Sequence, residues 1–170
     1  MTPEQGIEQE KPPFFYHASP NREIQRLEPK AETVRDKKEG AVVFATPDKG
    51  LASVFMVPHD DSWAASGRMG EQPFFLYSNA DKLKENDQGG SLYLLPAESF
   101  SQGDADGEHP SEWTSRETVM PIEKTDYDSG LEAMTANGVA VFHVDQPTLE
   151  RFQAAEPEEK ERMLAEFSGK

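Results

Sequence analysis

The chain has 170 residues, 17 Lys+Arg against 32 Asp+Glu for a formal charge of −15, 35% hydrophobic residues and no cysteine. At this size one folded domain with a real core is expected. The absence of cysteine excludes disulfides, thiolate zinc sites, iron–sulfur clusters and a Cys nucleophile. The acidic balance argues against a general nucleic-acid backbone binder, whose affinity comes from Lys and Arg neutralising phosphates, and against an anionic membrane surface.

Residues 1–11 are polar with little to bury and read as a flexible tail with no signal-peptide pattern; residues 12–170 read as one domain of a cytoplasmic protein. Phe14-Phe15-Tyr16-His17-Ala18 predicts a buried strand closed by a turn at Ser19-Pro20-Asn21. A charged stretch over 22–40 follows, anchored only by Ile24, Leu27 and Val34. Ala41 to Ala45 predicts a second strand, and Thr46-Pro47 supplies an N-cap hydroxyl and a first-turn proline for a helix from Pro47 to about Val57. Leu51, Val54 and Phe55 fall on one face of that helix. Residues 58–72 read as a long irregular loop, a candidate lid, with His59 exposed in it.

Strands are expected at Phe74–Tyr77 and Leu92–Leu95, forming an antiparallel pair, then a loop over 101–111 and a strand from Trp113 to Ile122. Leu131–Ala136 predicts a short helix stopped at Asn137-Gly138. Val139–Val144 predicts the last strand, and Pro147–Ala155 and Pro157–Phe167 predict two surface helices, the second with an apolar stripe of Met163, Leu164 and Phe167. The class is α+β with a largely antiparallel sheet.

Gly-x-Gly-x-x-Gly, Walker A, His-Glu-x-x-His, Gly-x-Ser-x-Gly and EF-hand patterns are all absent, and no two of His17, His59, His109 and His143 stand at helical spacing, so no metal site is expected. His17 ends an aromatic strand beside the small residues Ala18 and Ser19. That leaves room for a ligand, although the pattern by itself also describes a strand-end histidine bonded to backbone. Phe44 by itself reads as core, and Glu112 as a surface acid beside the bulky Trp113.

Phe15-Tyr16-His17-Ala18-Ser19, then Val43-Phe44-Ala45-Thr46-Pro47 before a helix, then Ser111-Glu112-Trp113-Thr114-Ser115, together resemble the three motifs of ADP-ribosyltransferase-like domains. The resemblance implies an ADP-ribosyltransferase-like fold, a mostly antiparallel split β-sheet with flanking short helices. It also implies NAD as substrate and no metal. His17 would hold a ribose hydroxyl with Ser19 beside it, Phe44 would stack on nicotinamide next to Thr46, and Glu112 would be the catalytic carboxylate, with Glu117 the other candidate acid. The family usually has tyrosine at Phe44, where the stacking face is kept and the phenol is lost.

The charge is uneven along the chain. Between Glu98 and Glu132 there are ten acids and two bases, a net of −8, whereas Arg22 to Lys38 has six bases and four acids, a net of +2. Arg22, close to His17 in sequence, is the expected pyrophosphate contact. The implied function is transfer of ADP-ribose to an acceptor such as a protein, or hydrolysis of NAD. The alternatives are an inactive module of the same fold that binds a partner protein through its acidic face, and an acidic decoy that imitates nucleic acid.

Overall fold

A computed structural model describes residues 11–29, 42–102 and 113–169. The class is α+β, with small sheets and short helices. The chain forms two compact units, one of residues through His17, Ile24–Asp48 and Tyr93–Glu123, the other of Ala18–Glu23, Lys49–Leu92 and the chain from Lys124 onward. The strands β1 (Phe14–Ser19), β5 (Gly90–Pro96) and β8 (Glu123–Tyr127) form a sheet in the order β1-β5-β8.

In the first unit, β2 (Val43–Ala45) and β6 (Phe100–Gln102) pair antiparallel to opposite sides of β7 (Trp113–Ser115). Alternation in these strands directs Val43, Ala45 and Trp113 into a core with Phe15, Tyr93, Leu95 and Phe100. The Phe15 ring lies 5.0 Å from those of both Phe100 and Trp113. The charged excursion is tied down where Leu27 and Val119 exchange backbone hydrogen bonds of 2.7 and 2.9 Å. The Tyr93 hydroxyl adds a bond from the Ile24 N–H at 3.1 Å. The expected strand from Trp113 to Ile122 is thus only three residues long, because Ser115 Oγ accepts the Glu117 N–H at 3.1 Å and turns the chain.

The second unit is built on the sheet β3-β4-β9, made of β3 (Ala64–Met69), β4 (Gln72–Tyr77) and β9 (Ala140–His143). Residues 58–72 are therefore not one long irregular loop as expected: residues 64–72 form a hairpin strand, its turn and the start of the next strand. Met69 pairs with Gln72 across Gly70-Glu71, and Gly70 alone of the two turn residues has positive φ, 62°, as a type II′ turn requires. The run Ala64-Ala65-Ser66-Gly67 hides this strand in the sequence, because its residues lack the β-branched and aromatic side chains by which strands are recognised.

The expected pairing of 74–77 with 92–95 is also corrected. The neighbours of β4 are β3 and, in parallel, β9; those of β5 are β1 and β8. The run Phe74-Phe75-Leu76 is apolar on both faces because β4 is covered twice. Phe75 packs with Trp63, Leu83 and Met134; Phe74 and Leu76 pack with Leu149, Phe152 and Met163.

Those last three residues come from α4 (Gln146–Ala154) and α5 (Pro157–Phe167). Both helices carry a proline in the first turn as the sequence indicates, Pro147 second in α4 and Pro157 first in α5, and the Asp145 carboxylate caps α4 by accepting the Thr148 N–H at 2.9 Å.

The helix after Thr46 is shorter than expected. It comprises α1 (Lys49–Ser53) and one 3-10 turn, Val54–Met56. A three-residue period aligns Leu51, Val54 and Val57 inward and turns Phe55 out to 56% exposure, so Phe55 is not on the buried face.

Two elements leave almost no apolar signal: α2 (Ala80–Asn86), in which only Leu83 is buried, and β8, whose residues Glu123 to Asp126 are all exposed. The helix α3 (Gly130–Ala136) ends as its sequence indicates, with Gly138 at φ 83°.

Candidate functional site

The motif strands β1 and β2 meet in the first unit. Tyr16 and Thr46 exchange backbone hydrogen bonds, 2.8 Å from the Tyr16 N–H and 3.2 Å from the Thr46 N–H. One residue on from Tyr16 and two back from Thr46, His17 Nδ1 lies 3.1 Å from the Phe44 carbonyl oxygen. A carbonyl only accepts, so Nδ1 carries the proton and Nε2 is the acceptor nitrogen of the neutral ring. Phe44, expected in the core on pattern alone, is half-buried and faces away from the core side of Val43 and Ala45. Thr46 is buried, and its Oγ1 accepts the Asp48 N–H at 3.1 Å, opening the turn into α1.

The third motif strand joins from the other side. In β7, Thr114 stands opposite Phe44 and Trp113 opposite Ala45. Glu112, which immediately precedes Trp113, lies outside the described residues, as do His109 and residues 30–38 of the basic stretch. Glu117 is described: its side chain is exposed just beyond β7.

Ser19 and Arg22 belong to the second unit. Ser19 Oγ accepts the Asn21 N–H at 3.1 Å and shapes the turn after β1. The Arg22 guanidinium donates to the carbonyls of Gln88 at 3.1 Å and Tyr127 at 3.0 Å, an occupation that the charge pattern did not anticipate.

Around Arg22 the second unit has a polar cluster that sequence reading missed. Lys124 Nζ donates to the Arg22 carbonyl at 2.6 Å and lies 3.1 Å from Asp126 Oδ1. The Ser91 hydroxyl also donates to Asp126. That hydroxyl, then Lys124, hold the Asp126 carboxyl below the usual carboxylate range. The available signal was Gly89-Gly90. Gly89 has φ +72°, and a Cβ there would stand 2.4 Å from the carbonyl oxygens of Tyr127 and Asp128 and 2.6 Å from the Arg22 guanidinium. Only glycine allows the three segments to close.

The other two described histidines, His59 and His143, are also partnered. His59, expected to be exposed, is half-buried with Nδ1 2.7 Å from the Val57 carbonyl oxygen and Nε2 3.0 Å from Ser66 Oγ. His143 stacks on Tyr77 at 4.8 Å. Among the described residues no group of three His, Cys, Asp or Glu side chains is arranged to hold a metal ion, and no helix is long and apolar enough to cross a membrane.

The chain matches no family model, no curated protein and no solved structure in the comparisons made with them.

Proposed function

We propose that the protein cleaves the bond between nicotinamide and ribose in NAD, as an ADP-ribosyltransferase or NAD glycohydrolase of the ADP-ribosyltransferase-like fold. The observation that carries this reading is the adjacency of the three motif strands in one unit. The His17 imidazole bonds the Phe44 carbonyl at 3.1 Å, and Ala45, one residue on, stands opposite the Trp113 that follows Glu112 in sequence.

Each residue then has a task that follows from its chemistry. With Nδ1 held by the Phe44 carbonyl, His17 Nε2 accepts a ribose hydroxyl. The outward, half-buried face of Phe44 stacks on nicotinamide, which needs area rather than a phenol. Glu112 is the carboxylate that acts on the ribose. As the glycosidic C–N bond breaks, nicotinamide departs with the bonding pair and the sugar gains oxocarbenium-like charge, to which a carboxylate is attracted more strongly than to the ground state. Water, or a hydroxyl of the acceptor, then adds to the anomeric carbon and releases its proton.

Release of nicotinamide from NAD tests the reading. It is expected from the wild type and from Glu117→Gln, and not from Glu112→Gln. Loss of release in Glu117→Gln alone would move the acid to Glu117. An acidic partner-binding module of the same fold predicts no release from any of them, and for it the feature in favour is phenylalanine where the family has tyrosine.

A further inference from the structure

We propose that Ser66 is a base-activated nucleophile, with His59 as its base, that takes an acyl group from an activated carboxylic ester. The inference is independent of NAD cleavage, because all three groups involved belong to the second unit. The Val57 carbonyl oxygen, 2.7 Å from His59 Nδ1, fixes the tautomer: Nδ1 holds the proton, so Nε2 is a lone pair. Ser66 Oγ is 3.0 Å from that nitrogen and therefore donates its proton to it. A hydroxyl bonded to a base, with the base oriented by a third group, is the arrangement that nucleophilic catalysis requires.

The surroundings suit the reaction. Val57 is fully buried, and the His59 ring meets those of Phe75 and Trp63 edge to face at 5.1 and 6.3 Å, which fixes the ring plane. Ser66 and His59 are half-buried, so a small ester can reach them. Ser66 lies on β3, at the edge of its sheet, opposite Phe75, on the sheet face that the His59 ring also meets.

In the step itself, Ser66 Oγ bonds to the ester carbonyl carbon and its proton passes to His59 Nε2. The carbon–oxygen bond to the leaving alcohol then breaks, and the alkoxide takes the proton from Nε2. Ser66 is left acylated and the imidazole neutral. The Val57 carbonyl stabilises the transient imidazolium.

Treatment of the full chain with p-nitrophenyl acetate, followed by peptide mass spectrometry, tests this. Acetylation of Ser66 is expected about 100-fold faster than that of other serines, the scale of general-base assistance. It should be lost in Ser66→Ala, fall to the background rate in His59→Ala, and be partly restored there by added imidazole. Acetylation of Ser66 at the rate of other serines in the wild type, or an unchanged rate in His59→Ala, would overturn the proposal. Should His59→Ala fail to fold, the wild type in denaturant decides: the Ser66 advantage must disappear on unfolding, and its persistence contradicts base activation.

Discussion

His17 donates through Nδ1 to the carbonyl of Phe44, 3.1 Å away, so one hydrogen bond joins the first two motif strands and sets which ring nitrogen accepts. The two roles can be separated by substitution. Asparagine places an N–H near the position of Nδ1 and nothing at Nε2. His17→Asn is expected to unfold near the wild-type temperature while losing NAD-dependent stabilisation, and His17→Ala to lose both, with roughly 1 kcal/mol for the bond. Thermal unfolding with and without NAD checks both variants. Retained NAD stabilisation in His17→Asn would show that Nε2 takes no part.

Gly89 and Gly70 both have positive φ, 72° and 62°, but a Cβ at Gly89 meets two carbonyl oxygens at 2.4 Å and one at Gly70 meets nothing within 4 Å. Gly70→Asn, a residue that tolerates this conformation, should change stability by less than about 1 kcal/mol. Gly89→Ala should cost at least about 1–3 kcal/mol, because strain adds to the displacement of Arg22. At roughly 2–4 °C per kcal/mol, thermal melts resolve the two.

Asp126 titrates below the ordinary carboxylate range, chiefly because the Ser91 hydroxyl bonds its charged form. A depressed folded-state value means stability that is present above the unfolded value of about 4 and is lost as pH falls through the folded one. Ser91→Ala should move the Asp126 titration upward, followed by carboxyl-carbon NMR, and should weaken the acid dependence of stability. The carboxylate is half exposed, so the stability change is small. An unshifted titration in Ser91→Ala would assign the depression to Lys124 instead.

Phe55 and Phe75 test the 3-10 turn against a continued α-helix. Phe55 is 56% exposed and Phe75 fully buried. Denaturant unfolding should place Phe55→Ser within about 0.5 kcal/mol of the wild type. Phe75→Ala should lose about 3–5 kcal/mol. A cost for Phe55→Ser comparable with that for Phe75→Ala would contradict the turn.

These contrasts also mark what could be read from the sequence. Elements with a dense apolar pattern or a strong stop were legible: β1, β2, α3 before Asn137-Gly138, and the two proline-initiated helices. Elements held by polar or small residues were not. The strand β8 has charged and polar side chains outward, and β3 is read only once the Gly70-Glu71 turn is recognised. Pairing was less legible than the strands themselves, since Phe74 to Leu76 fits a two-sided central strand whatever its neighbours. For the site, the motif residues could be named but their partners could not. Nothing local in the sequence joins His17 to a carbonyl 27 residues away, or Arg22 to one 105 residues away.

Thermal unfolding of the full chain with NAD is the decisive measurement. NAD that binds only the folded state adds roughly 2.7 kcal/mol at about 100 times its Kd. For a chain of this length that is a rise of about 5–10 °C. The expected result is such a rise in the wild type, accompanied by nicotinamide release that Glu112→Gln abolishes. No rise at millimolar NAD, with no nicotinamide released, would contradict the proposal that this chain acts on NAD.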